Sequence, residues 1–252
     1  MTLIHLHGSL TCSTQDQRRT LIAALPVHMR KSLTEPGCLF YEITQAESPL
    51  SWQIEAGFAS PAAHETYEAE LVTSPFGVAC AGVQRQTNLA EKAPEIRRET
   101  PSDARAISGL LNAAFGGPDE AELVEKLRTT QALALSLTAK FGTVTLGHIA
   151  FSPVIAPFPA WALAPLAVRA PVRSQGIGAA LTRAGLALAQ KCGIQAVFVL
   201  GDPAYFSRFG FSAEAAQGYQ SPYAGAHFQM INLAGSYLPK GPIRHAPAFD
   251  AL

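Results

Sequence analysis

Apolar and polar positions alternate over residues 3–12, which predicts a strand. The period lengthens after Thr14-Gln15-Asp16-Gln17, where Leu21, Ile22, Leu25 and Met29 fall on one helical face. Pro36-Gly37 turns the chain into two more strand patterns, 39–44 and 52–58, joined by Ser48-Pro49. Ser60 is an N-cap hydroxyl followed by Pro61, so a second helix starts there, and a fourth strand is predicted over 78–86. The polar, aperiodic stretch 86–94 ends in proline and predicts a linker. A short strand over 95–99 leads to Thr100-Pro101-Ser102-Asp103, which supplies a hydroxyl cap, a first-turn proline and an early carboxylate for a helix that Gly116-Gly117-Pro118 ends. Another helix follows over 119–127, then a hairpin of 133–139 and 144–151 that Pro153 and Pro157 stop. A strand over 161–168, a helix over 176–191 and an almost unbroken apolar run over 194–200 complete a β-loop-α-β unit; such a run suits a strand covered on both faces. The resulting organisation is a first domain over 1–87, a linker over 88–95 and a second domain over 96–252.

The loop in that unit, Arg169 through Gln175, ends in Gly176-Ile177-Gly178 at the helix start. Free N–H groups and the positive dipole end of a helix lie there, and glycines let a ligand approach the backbone, so the turn suits an anion such as a phosphate. A P-loop needs Gly-Lys-Ser/Thr where Gly178-Ala179-Ala180 stands. A Rossmann turn is tighter and has a third glycine where Leu181 stands. An ordinary strand-to-helix turn with small residues for packing is the remaining alternative to an anion site.

Composition narrows the picture. The 252 residues are 48% hydrophobic, enough for a substantial core, and 19 basic against 19 acidic side chains leave no excess to draw nucleic acid. No apolar run approaches the roughly 18 residues that span a bilayer, and the N-terminus lacks the pattern of a signal peptide, so a soluble, cytoplasmic protein without nucleic-acid or membrane partners is expected. Four scattered cysteines signal neither zinc nor disulfides, and His5-x-His7 lacks a third ligand nearby, so no metal is expected.

The pattern Arg-x-x-Gly-x-Gly at 173–178, behind a Val-x-x-Pro strand exit and followed by Arg208-Phe209-Gly210-Phe211, resembles the GNAT acetyltransferases. Gly147-His148-Ile149-Ala150-Phe151-Ser152-Pro153 and Gly201-Asp202-Pro203-Ala204-Tyr205 bring it nearest to their YhbS-like group. The resemblance implies a mixed-sheet acyl-CoA N-acyltransferase fold and transfer of acetyl from acetyl-CoA, a co-substrate, to a small-molecule or exposed amine. It implies cofactor binding by Leu166, Ala167 and Val168, which would pair with the pantetheine amides, and by Arg173, Ser174, Gln175, Gly176, Ile177, Gly178 and Ala179 at the diphosphate. Pro165 fits a bulge in that strand. Where many family members carry a tyrosine that protonates the leaving thiolate, this chain has Phe206; adjacent Tyr205 is the candidate donor, with solvent as the fallback. His148 is a candidate base because of its pKa. Glu120 and Asp202 are further candidates, and Phe115, Phe151, Trp161 and Tyr223 are candidates for an apolar acceptor wall or for plain core.

In the first domain, the βαββαβ order is that of a ferredoxin-like plait. Leu10-Thr11-Cys12, Arg19 with Leu25-Pro26-Val27-His28, Glu35-Pro36-Gly37-Cys38 and Trp52-Gln53-Ile54-Glu55 resemble the antibiotic biosynthesis monooxygenase (ABM) family, whose dimeric α/β barrels pack sheet to sheet. The resemblance implies a homodimer. It leaves open a cofactor-free or haem-related monooxygenase, for which Trp52, His28 and His64 are candidate pocket residues; no asparagine precedes Asn88 to match the one that family's enzymes use. A non-catalytic acyl-CoA sensor is the third reading, raised by Phe206.

Overall fold

The computed structural model describes residues 2–251. These form two compact units, one holding the chain up to Pro94 with Phe141–Val144, the other Glu95–Lys140 and the chain from Thr145 onward.

In the first unit the elements are β1 (Leu3–Thr11), α1 (Gln15–Ser32), β2 (Cys38–Gln45), β3 (Ser51–Phe58), α2 (Pro61–Thr73), α3 (Pro75–Ala79) and β4 (Gln84–Lys92). The sheet order is β2-β3-β1-β4 and every pairing is antiparallel. Thr14 and Ser60 cap α1 and α2 by accepting from Gln17 and Ala63 N–H, and Pro61 occupies the first turn, as the sequence predicts. One sheet face is apolar, and Leu6, Leu10, Ile54 and Phe58 on it bury against Leu21 of α1 and Tyr67 of α2. The alternating positions His5, His7, Ser9 and Thr11 lie on the other face.

The fourth strand and the linker are displaced from their predicted places. Residues 78–83 do not form a strand, so only the last three positions of the predicted one fall in β4; Ser74 accepts from Gly77 N–H at 3.0 Å and Pro75 starts α3, which takes in Val78. Gly82 then turns the chain at φ +80°, and β4 pairs with β1 from Thr11↔Gln84 to Leu3↔Lys92, so most of the expected linker is an edge strand. An edge strand needs no alternating apolar face, which is why its polar sequence resembles a loop.

Trp52, His28 and His64 do not share a pocket. Trp52 lines a shallow groove with Ile22 and Met29, whereas His28 is buried, stacked on Phe76, with Nε2 3.0 Å from Tyr41 Oη. Burial, with the charges of Lys31 and Arg85, pushes the His28 pKa down to about 4. His64 lies beside Glu68. His5 sits between Glu55 and Lys92, and no group of three or more potential ligands is arranged to hold a metal among the described residues.

The second unit contains β5 (Glu95–Arg98), α4 (Ala104–Phe115), α5 (Asp119–Thr129), β6 (Leu135–Phe141), β7 (Val144–Val154), β8 (Ala160–Val168), α6 (Ile177–Lys191), β9 (Ala196–Leu200), α7 (Pro203–Phe206), α8 (Ala213–Ala216) and β10 (Phe228–Asn232). Its sheet runs β10-β9-β8-β7-β6-β5, with the β8–β9 pair parallel and β9–β10 antiparallel. Thr100 and Asp103 form a capping box before α4, and Arg97 donates two hydrogen bonds to Asp103 at 2.7 and 2.9 Å. Pro153 does not stop β7; it pairs with Trp161, and the strand continues to Val154. Among the described residues no helix is long and apolar enough to cross a membrane.

Candidate active site

The site begins where β8 leaves β9. The two strands pair from Ala160↔Ala196 to Leu163↔Val199 and no further, while β8 stays paired to β7 up to Val168↔Gly147. Directly beyond the last β8–β9 pair, Ala164 and Pro165 together stand opposite Ala150, between Leu163↔Phe151 and Leu166↔Ile149. Two residues against one is a β-bulge, which bends and twists the strand that carries it. This is the bulge that Pro165 predicts. On the β9 side the backbone of β8 faces a cavity of about 710 Å³ instead of a neighbouring strand.

At one end of the cavity lies the turn into α6. Ser174 (φ +62°) and Gly176 (φ +89°) both adopt left-handed backbone conformations, and nothing lies within 4 Å of where a Gly176 side chain would start. The first α6 N–H with a partner inside the helix is that of Ala180, donating to Gly176 O at 2.9 Å, so the N–H groups of Ile177, Gly178 and Ala179 have no partner within the helix. Leu166, Val168, Arg173, Ser174, Gly176, Ile177, Gly178 and Ala179 all line the cavity. Ala167 and Gln175 do not: Ala167 turns to the opposite sheet face to pack with Ile107 and Val124, and the Gln175 amide donates to Pro171 O at 3.5 Å. The Arg173 guanidinium is engaged by backbone, donating to Val168 O at 3.1 Å and Ala114 O at 3.4 Å, and so ties the loop to the end of α4.

Tyr205 and Phe206 of α7 both border the cavity. The Tyr205 hydroxyl is the group nearest the α6 start, because a Cβ on Gly178 would come within 2.6 Å of it. Its pKa is raised by burial, against the opposing influence of the Thr182 hydroxyl and of Arg208, whose guanidinium lies 4.5 Å over the Tyr205 ring. Phe206 is buried, edge-on to Phe211 and against Gly201. Glu120, at the start of α5, also borders the cavity.

His148 does not reach it. The side chain has no solvent exposure and belongs to a network under the sheet, with Nε2 2.8 Å from Ser136 Oγ and that hydroxyl donating to Glu99 Oε2 at 2.5 Å. Burial lowers the His148 pKa despite Glu99. Burial alone would raise Glu99, but hydrogen bonds from His148, Arg128 and Ser136 outweigh it and bring its pKa down to about 2. The fully buried imidazole and its carboxylate brace α5 and β5 against β6 and β7. Phe151 and Trp161 are likewise core, in contact with each other, whereas Phe115 and Tyr223 border the cavity. Asp202 lines it too, with its carboxylate capping α7 through Ala204 N–H at 2.9 Å. The residues that the sequence pattern missed are His245, Phe228 and Phe249, which close the other end. His245 and Phe249 lie in an irregular stretch that carries no periodic signal.

A mixed sheet opened by a bulge, with a glycine turn and helix start at the end of the opening, defines a class of protein in which an unpaired strand edge runs to the N–H groups of a helix start. Comparison with known proteins gives this class a family. The model of the acetyltransferase (GNAT) family matches residues 104–211. The uncharacterized N-acetyltransferase YhbS of Escherichia coli (strain K12) is 40% identical over 150 residues, which span 57% of this chain and 89% of that protein. The uncharacterized N-acetyltransferase YjhQ of the same strain is 37% identical over 135 residues, or 48% of this chain and 72% of that one. Among solved structures, Escherichia coli YhbS in complex with CoA superposes with a TM-score of 0.58 at 35% identity, covering 63% of this chain and 92% of that one. A GNAT family acetyltransferase from Brucella melitensis in complex with acetyl-CoA gives 0.54 at 36% identity, covering 62% and 97%. The chain belongs to the GNAT acetyltransferase family.

Proposed function

We propose that the second unit transfers an acetyl group from acetyl-CoA to an amine. The observation that carries this reading is the unpaired edge of β8 from the bulge to Val168, leading straight to the N–H groups of Ile177, Gly178 and Ala179. A pantetheine arm presents amides that pair with a free strand edge, and a diphosphate presents anionic oxygens to a helix start. The open space at Gly176 fits a phosphate against backbone. The relatives that crystallised with CoA and acetyl-CoA support the same ligand for this chain. Calorimetric titration tests it: micromolar acetyl-CoA binding is expected, and no heat at millimolar ligand sinks the proposal.

Phe206 has no proton to give, and the Tyr205 hydroxyl stands against the α6 start, at the diphosphate end of the cavity, so the leaving thiolate takes its proton from solvent. Tyr205→Phe is therefore expected to leave thiol release within about threefold of wild type, whereas a loss of about 100-fold, the scale of general-acid assistance, would assign the proton to Tyr205. Binding without thiol release from any amine by the wild-type protein would favour an acyl-CoA sensor, the reading that Phe206 raises.

For the first unit, the strand order β2-β3-β1-β4 with helices on one face supports a ferredoxin-like, ABM-type module that pairs two copies of the chain through the sheet face carrying His5, His7, Ser9 and Thr11. Sedimentation of the full chain at micromolar concentration is expected to give twice the 26.7 kDa of one copy. A monomer would remove this reading.

A further inference from the structure

The closed end of the cavity is built around His245. The two residues before it are fixed by backbone: Ile155 N–H donates to Arg244 O at 2.9 Å, Arg244 N–H returns to Ile155 O at 3.0 Å, and Ile243 N–H donates to Gln220 O at 3.0 Å. The imidazole is boxed by aromatic rings, with Tyr223 at 5.0 Å edge-on, Phe249 at 5.4 Å and Phe228 at 6.4 Å between centroids. Tyr223 Oη donates to Phe249 O at 3.4 Å, which ties two walls of the box together. Among the described residues neither ring nitrogen of His245 has a hydrogen-bond partner, although both are shielded from solvent. A buried polar group in that condition is costly to keep unless a ligand supplies the partner.

The box also lies where the chemistry of the proposed reaction belongs. Phe249 packs with Leu123, Leu127 and Ala164, the first bulge residue, and Phe228 pairs with Leu200 at the end of β9. His245 is thus at the fork of the two strands, opposite the end that Gly176 and Gly178 occupy. A pantetheine arm laid from the α6 start along β8 delivers its thioester to this fork.

We infer that His245 is the group that accepts the proton from the attacking amine, and that Tyr223, Phe228 and Phe249 select an aromatic primary amine without an acidic group. This rests on the acetyl-transfer reading above. Glu120 gives the cavity a negative charge for an arriving ammonium. Among the described residues the two arginines that line the cavity stand at its α6 end, Arg173 on the backbone of the turn and Arg208 over the Tyr205 ring, so neither faces the aromatic box to pair with a carboxylate or phosphate on the acceptor. The ammonium gives up one proton to water on entry; the neutral amine nitrogen then bonds to the thioester carbonyl carbon, its N–H proton passes to an imidazole nitrogen, the C–S bond breaks, and the departing thiolate takes a proton from solvent. The products are the N-acetyl amine and free CoA thiol. Burial among the rings lowers the His245 pKa from its ordinary value, which favours the neutral imidazole that can accept a proton. The titratable and charged groups that share the cavity with it are Tyr223, in ring contact, Glu120, Asp202, Tyr205, Arg173 and Arg208, while Arg244 and Asp250 are its neighbours in sequence.

Thiol release measured with acetyl-CoA and 2-phenylethylamine, spermidine or L-phenylalanine tests the assignment. With the wild-type protein, kcat/KM for 2-phenylethylamine is expected to exceed the other two by about 10-fold or more, the scale on which an apolar subsite discriminates. Its fall on acidification is expected to become one proton steeper than the titration of the amine alone requires. His245→Gln should lower kcat/KM about 100-fold, remove that extra proton from the profile and leave acetyl-CoA affinity in place. A preference for spermidine or phenylalanine, no turnover of 2-phenylethylamine, or a wild-type profile without the extra proton overturns the assignment. So does a His245→Gln variant within threefold of wild type. Failure of the wild-type protein to bind acetyl-CoA at all is a different result, which sinks the acetyl-transfer reading and this assignment with it.

Discussion

Gly176→Glu is expected to abolish acetyl-CoA binding, with affinity falling by about 1,000-fold or more at low salt. Gly176 has φ +89°, and a residue with a Cβ held in the left-handed region costs about 1–2 kcal/mol of stability, with or without ligand. The effect on affinity is charge, because a carboxylate enters the open space at the helix start where the diphosphate is expected. Two unit charges of like sign about 4 Å apart repel by about 4 kcal/mol at the effective dielectric of a protein surface. Gly176→Ala separates the two, since it keeps the backbone cost and omits the charge, and should hold acetyl-CoA affinity within about 10-fold. Calorimetric titration of both variants is the measurement. Glutamate and alanine variants of equal affinity would show that the anion does not sit at this turn.

The second large effect concerns stability. Phe151 in β7 is fully buried, and α6 approaches its ring so closely that a Cβ on Gly185 would stand 2.4 Å from two of the ring carbons. Phe151→Ala leaves a cavity at this contact, and removal of a buried phenyl ring costs about 3–5 kcal/mol. For a unit of this size that is a drop of roughly 10 °C in the melting transition. Chemical denaturation followed by tryptophan fluorescence reports on the site, because Trp161 contacts the same ring at a centroid distance of 6.0 Å. A loss below about 1 kcal/mol would mean that α6 collapses onto the sheet without strain, an outcome that Gly185 makes available only if the helix can shift. Because α6 begins at the proposed diphosphate turn, ligand affinity and stability are expected to fall together in this variant. They are expected to separate in Gly176→Glu.

The parts of the molecule that the sequence announces are those where one residue type has a single physical use. Ser60-Pro61 can hardly do anything except begin a helix, and Gly176-Ile177-Gly178 after a strand marks a turn whose backbone needs glycine, as the φ of +89° at Gly176 does. The opening in the sheet was legible through Pro165, which cannot donate to a ladder. Elements that depend on partners were not legible. β4 is polar because it lies at an edge, so pairing with β1 defines it and its own pattern does not. His148 has the pKa of a base in isolation, yet only the folded chain shows it enclosed with Ser136 and Glu99. His245 escaped for the opposite reason. It belongs to no periodic element, and its place in the cavity depends on a backbone exchange between Arg244 and Ile155 that nothing near it in sequence foretells.

The surplus residue in β8 has a consequence for how the family's architecture can vary. With Ala164 and Pro165 together facing Ala150, the pairs on either side, Leu163↔Phe151 and Leu166↔Ile149, are already in step with β7. A chain shorter by one residue at this point would keep both of those pairs and every side chain on its present face. What it would lose is the kink that turns β8 away from Leu200, and β9 could then zip up alongside it. The capacity to hold an acyl carrier thus hangs on counting as much as on chemistry: one unit of length, inserted where the sheet would otherwise close, keeps a seam open that no change of side chain alone would create.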